Sequence, residues 1–132
     1  MTSIDELEAL VGRETGVSAW LEIDASRAEL FELATGVEPG GSVPPFLLLS
    51  LLPHLLPGIS LPIATPRATI NYGLERVESG VPVAVGQRVR ARTTLAGVER
   101  IGDSVQVRRT TTIETETGLT ALIAETVTRL VY

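Results

Sequence analysis

The chain has 132 residues, of which 44% are hydrophobic, contains no cysteine and carries a formal net charge of −5 at pH 7. This length suits one domain with one core, and the missing cysteines exclude disulfides, thiolate metal sites and cysteine nucleophiles. The acidic balance argues against a nucleic-acid partner, because phosphate binding depends on clustered positive charge. The first residues, MTSIDELEAL, are acidic where a secretory signal is basic and apolar, so we expect a cytoplasmic protein.

The first part of the chain predicts two helices separated by a short strand. Apolar residues at helical spacing predict a helix over residues 3–11, and residues 18–23 (SAWLEI) are typical of a strand. A second helix is expected to be capped by Asp24 or Ser26 and ended by Gly36, since glycine is common after the last helical residue. The residues expected to be buried on this helix are Leu30, Phe31, Leu33 and Ala34.

An eleven-residue apolar run from Phe46 to Leu56 (FLLLSLLPHLL) is the most informative feature of the chain. It is too short to span a membrane and too apolar to lie on a surface, which predicts a helix buried against a sheet. Pro44 or Pro45 suits the first turn, and Pro53 is expected to kink or end the helix because proline lacks the backbone N–H. We therefore predict one long central helix and no membrane association.

From Arg67 onward the sequence changes to the period of two that is typical of strands. The predicted strands cover residues 67–77, 88–101, 104–116 and 119–131. One face of the second strand is expected to be buried, since its alternate residues are Val89, Ala91, Thr93 and Leu95. Short turns predict antiparallel neighbours, and Gly97 is a candidate for a bulge that curls the sheet.

A long helix followed by a curled antiparallel sheet wrapped around it is a hot-dog architecture, which is α+β in class. Such a sheet has exposed edges, and exposed edges commonly pair across a two-fold axis. We therefore expect a homodimer or a higher even oligomer.

Several stretches of the sequence resemble MaoC-like hydratases and dehydratases, which include R-specific enoyl-CoA hydratases and nodulation-protein-N-like dehydratases. They are LATG (33–36), FLLLSLLP (46–53), INYGLERV (70–77), PVAVGQRVRAR (82–92) and the closing ETVTRLVY. The resemblance covers nearly the whole chain and implies a single hot-dog domain over residues 1–132. It also implies an acyl-thioester substrate, linked to CoA or to an acyl carrier protein, with no cofactor and no metal.

The residues that the family uses for catalysis are missing from this sequence. The resemblance implies an aspartate directly after the helix-ending glycine and a histidine five residues later, which handle a water between them, while backbone amides at the start of the central helix stabilise an enolate oxygen. The matching positions here are Val37 and Ser42, and neither side chain can titrate. The chain passes from Gly36 to Phe46 in only nine residues, so we expect the catalytic loop to be deleted.

Three residues are candidates to replace the missing pair. Glu38 follows the lost aspartate position and would become a base if desolvation raised its pKa; Tyr72 would donate a proton to a carbonyl; His54 is the only histidine. Each has a structural alternative, as a turn residue, a strand-packing residue or a residue at a helix end. The residues expected to bind substrate are Ser42, Val43, Phe46 and Asn71.

Two further patterns have alternative interpretations. A stripe of cations on one strand face consists of Arg88, Arg90 and Arg92. It predicts a solvated outer face balanced by Glu114 and Glu116, with a phosphate site as the alternative. A hot-dog thioesterase would need an acid at its cleft, and the run 46–56 has none, so that class requires Glu75 or Glu78 to reach the cleft.

Two functions therefore stay open. In the first, the chain binds an acyl-thioester or polyketide-like chain as a non-catalytic subunit, in a homodimer or in a heterodimer with an intact homologue. In the second, it is an enzyme with repurposed chemistry, such as dehydration, isomerisation or cyclisation, in which the cleft acts by holding a reactive conformation.

Overall fold

The structure is a computed structural model, and it describes residues 4–37, 40–56 and 65–132. The helices are α1 (Ile4–Glu8), α2 (Ala25–Thr35), α3 (Pro45–Ser50) and α4 (Leu52–Leu55). The strands are β1 (Glu14–Val17), β2 (Leu21–Glu22), β3 (Ala68–Ser79), β4 (Arg88–Ile101), β5 (Ser104–Thr115) and β6 (Thr120–Val131). No helix within these ranges is long and apolar enough to cross a membrane.

The strands form one antiparallel sheet in the order β1-β4-β5-β6-β3, with β2 also paired to β4. The four long strands confirm the predicted segments to within two residues at each end. Gly97 lies at a register shift between β4 and β5, which confirms the predicted bulge. Bulges bend the strand that carries them, so Gly97 contributes to the curl of the sheet.

The inner face of the sheet follows from the period of two. On β4 the four residues predicted to be buried are fully buried, and on β5 the buried residues include Val107, Thr111 and Ile113. Helices α3 and α4 cover this face, and their buried residues are Leu47, Leu48, Leu51, Leu52 and Leu55. The core has two clusters: the central helices pack against residues that include Val89, Ala91 and Ile113, whereas Leu7 of α1 packs against Leu95, Val105, Val107 and Leu130.

The apolar run 46–56 forms two short helices. Helix α3 ends at Ser50, Leu51 joins the two, and α4 begins at Leu52. Pro53 has no N–H to continue the hydrogen-bond ladder of α3. The predicted central helix is therefore divided into two short helices, and the break expected at Pro53 is confirmed.

The segment before α2 differs from its prediction. Strand β1 was not predicted, and only Leu21 and Glu22 of the expected strand at 18–23 pair with β4. Ser18 is held beside β4 instead, because its backbone N–H donates to the Ala91 carbonyl and its hydroxyl accepts from the Ala91 N–H, both at 2.8 Å. The two short strands thus share one edge of β4.

Helix α2 has the predicted ends but buries a different face. The Asp24 carboxylate accepts the Arg27 N–H at 2.8 Å, and Gly36 has a left-handed φ of 72°. Of the four residues predicted to be buried, Phe31 packs against the core, whereas the prediction is wrong for Leu30 (63% exposed), Leu33 (83% exposed) and the exposed Ala34. Ala28 is buried and Phe31 packs against the core, and these two share a face that Leu30 and Leu33 do not.

Strand β3 is exposed on both faces. Eleven of its twelve residues are exposed, including the large apolar side chains of Ile70, Tyr72, Leu74 and Val77. Among the described strands it pairs with β6 alone, so its other edge presents backbone donors and acceptors. A long apolar edge of this kind is a surface to which another strand can add.

Candidate functional site

A cleft lies between helices α3 and α4 and the inner face of the sheet at β3 and β6. It consists of two pockets with volumes of about 480 Å³ and about 360 Å³, and Leu49 lines both of them. The helix wall of the larger pocket is mostly apolar: it consists of Leu49, Leu52, Pro53 and Leu56, together with Ser50. The smaller pocket extends past Leu49 to Pro45 and Phe46, and its sheet wall includes Val77, Ser79 and Leu122.

The sheet wall of the larger pocket is polar, which is unusual for the inner face. Its polar residues are Thr69, Asn71, Arg109, Thr126 and Thr128. On β5 the odd-numbered residues face inward, and Arg109 belongs to that series, whereas Arg108 faces outward with its Nη1 3.9 Å from Glu75 Oε2. Register pairs Arg109 with Thr126 across β5 and β6.

Arg109 and Thr126 lack partners for buried polar atoms. Arg109 Nε and Thr126 Oγ1 are both buried without a hydrogen bond, and Arg109 makes no ion pair in the part of the chain that the structure describes. Burial lowers the pKa of Arg109. A guanidinium nevertheless stays charged in proteins, so the pocket contains a positive charge with no counter-ion.

Neither pocket is lined by an acid or an imidazole from the described residues. Glu75 and Glu78 are exposed and lie close to Arg108 and Arg76 respectively. The carboxylate that a hot-dog thioesterase requires is therefore not supplied by either of them.

The predicted substrate-binding residues lie at different depths. Asn71 lines the larger pocket, and Phe46, which is 73% exposed, lines the smaller one. Val43 is buried in the core, where its N–H donates to the Val83 carbonyl at 2.7 Å, and Ser42 is exposed just before α3. Their roles in binding substrate stay predictions.

The structure does not place the described catalytic candidates at the cleft. His54 is exposed on α4 and lines neither pocket. Tyr72 is 58% exposed, and the Arg129 guanidinium lies 4.2 Å from the centre of its ring. Glu38 lies outside the described residues. Catalysis by these three residues stays a prediction.

Sequence reasoning missed Arg109, Thr126 and Thr128. A signal for Arg109 was present, because two consecutive arginines in an alternating strand cannot both face solvent. Thr126 and Thr128 likewise belong to the alternate residues of β6 that face inward. Their convergence with Arg109 depends on the pairing of β5 with β6, which alternation does not specify.

The arginine stripe on the outer face is paired with carboxylates, as predicted. Arg90 and Arg92 both donate to Glu114, and Arg88 donates to Glu116 at 2.7 Å. Burial by itself would raise the pKa of Glu114, but the hydrogen bonds from the two guanidinium groups outweigh it and leave that pKa below its usual value. The cations are thus already neutralised, which removes the support for a phosphate site at this stripe.

Comparison with known proteins gives close relatives over the whole length. No family model matches the chain. It is 35% identical to 3-hydroxyacyl-thioester dehydratase Z of Mycobacterium tuberculosis over 146 aligned positions, which cover 98% of this chain and 96% of that protein. It is 32% identical to nodulation protein N of Rhizobium leguminosarum bv. viciae over 121 positions, covering 80% and 75%. An alignment of 146 positions against a chain of 132 leaves at least 14 positions without a counterpart here.

Similar solved structures confirm the predicted hot-dog fold. A MaoC-like dehydratase from Rhodospirillum rubrum superimposes with a TM-score of 0.77 at 16% identity, covering 92% of each chain. The (R)-hydratase from A. caviae involved in PHA biosynthesis gives 0.70 at 23% identity, covering 91% of this chain and 96% of that one. The HadBC (3R-hydroxyacyl-ACP dehydratase) complex from Mycobacterium tuberculosis gives 0.62 at 12% identity, covering 86% and 94%.

Proposed function

Because the chain belongs to the MaoC-like dehydratase family of hot-dog proteins, we propose that it binds an acyl thioester in its cleft without the family's usual acid–base chemistry, as a binding or partner subunit. One observation carries the proposal: no acid or imidazole among the described residues lines either pocket. Adding water to an enoyl thioester requires a proton acceptor and a proton donor within hydrogen-bond reach of the reacting atoms.

The segment before α3 supports the loss of the catalytic pair. Val37 and Ser42 occupy the positions that the resemblance assigns to the aspartate and the histidine. A relative with at least 14 additional aligned positions is consistent with a loop that has been shortened here. A shortened loop would remove both proton-transfer groups together.

The free edge of β3 supports a partner role. Its apolar residues are exposed and its outer edge has no described strand beside it, which suits pairing with a second copy or with an intact homologue. HadBC, a protein of the same fold, is itself a complex. In a heterodimer, the intact subunit would supply the proton-transfer groups.

A second candidate is an enzyme with repurposed chemistry. The polar sheet wall favours it, because Asn71, Arg109 and Thr126 offer hydrogen bonds that can hold a polyketide-like chain in a reactive conformation. If the purified chain dehydrates, isomerises or cyclises an acyl substrate, the variants Glu38→Gln, Tyr72→Phe and His54→Ala test the predicted side chains. Unchanged turnover in all three would exclude catalysis by those groups.

The test measures binding and turnover on the same preparation. Calorimetry should detect octanoyl-CoA binding by the purified chain, while crotonyl-CoA hydration stays at the uncatalysed rate. Mycobacterial dehydratase Z serves as the reference enzyme in the hydration assay. Hydration by this chain alone, or a failure to bind any acyl-CoA thioester, would contradict the proposal.

A loop exchange tests whether hydration is lost because the two catalytic residues are missing or because the loop that would hold them is too short. Residues 37–45 are replaced by the corresponding loop of dehydratase Z, and the double variant Val37→Asp, Ser42→His serves as the comparison. We expect hydration from the loop exchange and none from the double variant, because the native segment is too short to place both groups. Activity in the double variant would show that the length of the segment is sufficient.

A further inference from the structure

The larger pocket contains a charge that binding of a plain hydrocarbon chain does not explain. We propose that the cleft is selective for an acyl chain that carries a carboxylate at the end remote from the thioester, and that Arg109 and Thr126 bind this carboxylate. This inference rests on the proposed function, because it concerns the ligand of the same cleft. It specifies the class of acyl chain.

The position of Arg109 is energetically unfavourable without a ligand. It follows Val107 and precedes Thr111 in the inward series of β5, and its register partner on β4 is the fully buried Leu95. Burying an unpaired charge costs far more than burying an apolar side chain of similar size. Groups that reduce stability in this way are typical of binding sites, where function requires them.

No acid of the described chain is available to neutralise Arg109. Glu75 lies near Arg108, and Glu125 lies 3.7 Å from Arg76, both away from the pocket. Thr126 Oγ1, on the register partner of Arg109, is also buried and unpaired. Together the two side chains offer a guanidinium fork and a hydroxyl donor, which match the oxygens of a carboxylate.

The rest of the cleft indicates that this carboxylate belongs to an apolar chain. The wall opposite Arg109 is formed by Leu49, Leu52, Pro53 and Leu56, which would contact methylene groups. Leu49 also lines the smaller pocket, which includes Phe46, and the 73% exposure of Phe46 places that pocket at the surface, where a bulky thioester carrier can remain outside.

The register of the sheet sets the length of chain that fits. Thr126 pairs with Leu74 of β3, and Ala124 pairs with Val77, which lines the smaller pocket. The two rows are two residues apart along β6, and the extra residue on β3 belongs to the register shift after Leu74, so the rows are separated by roughly 7 Å. A medium-length acyl chain that enters beside Phe46 can therefore reach Arg109 with its remote end.

Calorimetry with two thioesters of equal carbon number tests the proposal. Suberoyl-CoA ends in a carboxylate and octanoyl-CoA ends in a methyl group, and CoA alone controls for the carrier. We expect the full chain to bind suberoyl-CoA about 10- to 100-fold more tightly than octanoyl-CoA, the range typical of a hydrogen bond to a charged group. CoA alone should bind weakly.

Two variants on adjacent residues provide the matched control. Arg109→Leu should abolish the preference for suberoyl-CoA while octanoyl-CoA still binds. Arg108→Leu removes the same charge from the outer face and should leave the preference unchanged, which excludes a general charge effect. Arg109→Lys should keep part of the preference, because it retains the charge but not the planar fork.

Each contrary result has a distinct meaning. Equal affinities for the two thioesters in the native chain would overturn this inference and leave the proposed function standing. Binding of neither thioester would overturn both. Binding of CoA alone that is lost in Arg109→Leu would show that Arg109 holds a phosphate of the carrier, and would also overturn the inference. If Arg109→Leu does not fold, the Arg109→Lys variant and Thr126→Val decide, and an unchanged preference in both would reject the proposal.

Discussion

Two cross-strand pairs of polar residues lie next to each other on the inner face of the sheet, and they differ in one respect. Thr93 of β4 faces Thr111 of β5, both are fully buried, and their hydroxyl oxygens are hydrogen-bonded at 3.0 Å. Arg109 of β5 faces Thr126 of β6, and each has a buried polar atom without a partner. The first pair is complete within the chain, whereas the second is not.

Burial alone therefore does not identify a structural polar residue. The threonine pair satisfies its hydroxyls internally, so it belongs to the core. The Arg109 and Thr126 pair lines the larger pocket, where a ligand can reach it. A buried polar group without a partner costs stability, and a bound ligand that supplies the partner recovers that cost.

The largest expected effect comes from breaking the complete pair. Thr111→Val should reduce the free energy of unfolding by about 1 to 3 kcal/mol, because it leaves the buried Thr93 hydroxyl unsatisfied. The double variant Thr93→Val, Thr111→Val should recover most of this loss, since both polar groups are then absent. Urea unfolding measures both values. Additive losses in the double variant would show that the two hydroxyls do not depend on each other.

The incomplete pair should respond in the opposite direction. Arg109→Leu is expected to raise the free energy of unfolding by about 1 kcal/mol, because an unpaired and partly buried charge is replaced by an apolar side chain. The outward-facing Arg108→Leu is the control, and urea unfolding is the measurement. A clear loss of stability in Arg109→Leu would mean that Arg109 supports the fold.

Arg90 and Arg92 of the outer face differ from Arg109 because they are paired with a carboxylate, Glu114, so their contribution to stability depends on pH. Because its folded pKa is lowered, Glu114 stabilises the native state above its unfolded pKa of about 4.3, and this stabilisation is lost as the pH falls through the lower folded pKa. Glu114→Gln should therefore lower the free energy of unfolding at pH 7 by about 1 kcal/mol or less. Unfolding curves at pH 7 and at low pH should show this difference and its disappearance, and a constant difference would argue against an electrostatic origin.

The smallest expected effect is on Thr126. Thr126→Val should raise the free energy of unfolding slightly, by less than about 0.5 kcal/mol, because it removes a buried hydroxyl that has no partner. Comparison with Thr111→Val is direct, since the same substitution is made at a buried threonine of the same face. A loss as large as that of Thr111→Val would reveal a partner for the Thr126 hydroxyl.

The candidate site was predictable in part. The arginine stripe was correctly matched with Glu114 and Glu116, while Asn71 and Phe46 line the pockets and their role in binding substrate stays a prediction. Arg109 was not predicted, although Arg108 and Arg109 adjoin. Whether Arg109 has a partner depends on the strands and helices that surround it, and the neighbouring residues in the sequence do not show this.

Features of the fold that depend on neighbouring residues were predictable from the amino-acid sequence. Alternation defined the four long strands, Asp24 and Gly36 defined the ends of α2, and Pro53 determined the break in the central helix. Each follows from side-chain period, a local hydrogen bond or a missing N–H.

Only the tertiary structure decided the features that depend on residues far apart in the chain. It selected Ala28 and Phe31 as the buried face of α2, left β3 exposed, and brought Arg109 and Thr126 together opposite Leu52. The physical reason is that helical and strand periods say which residues share a face, whereas strand order and register decide what that face meets.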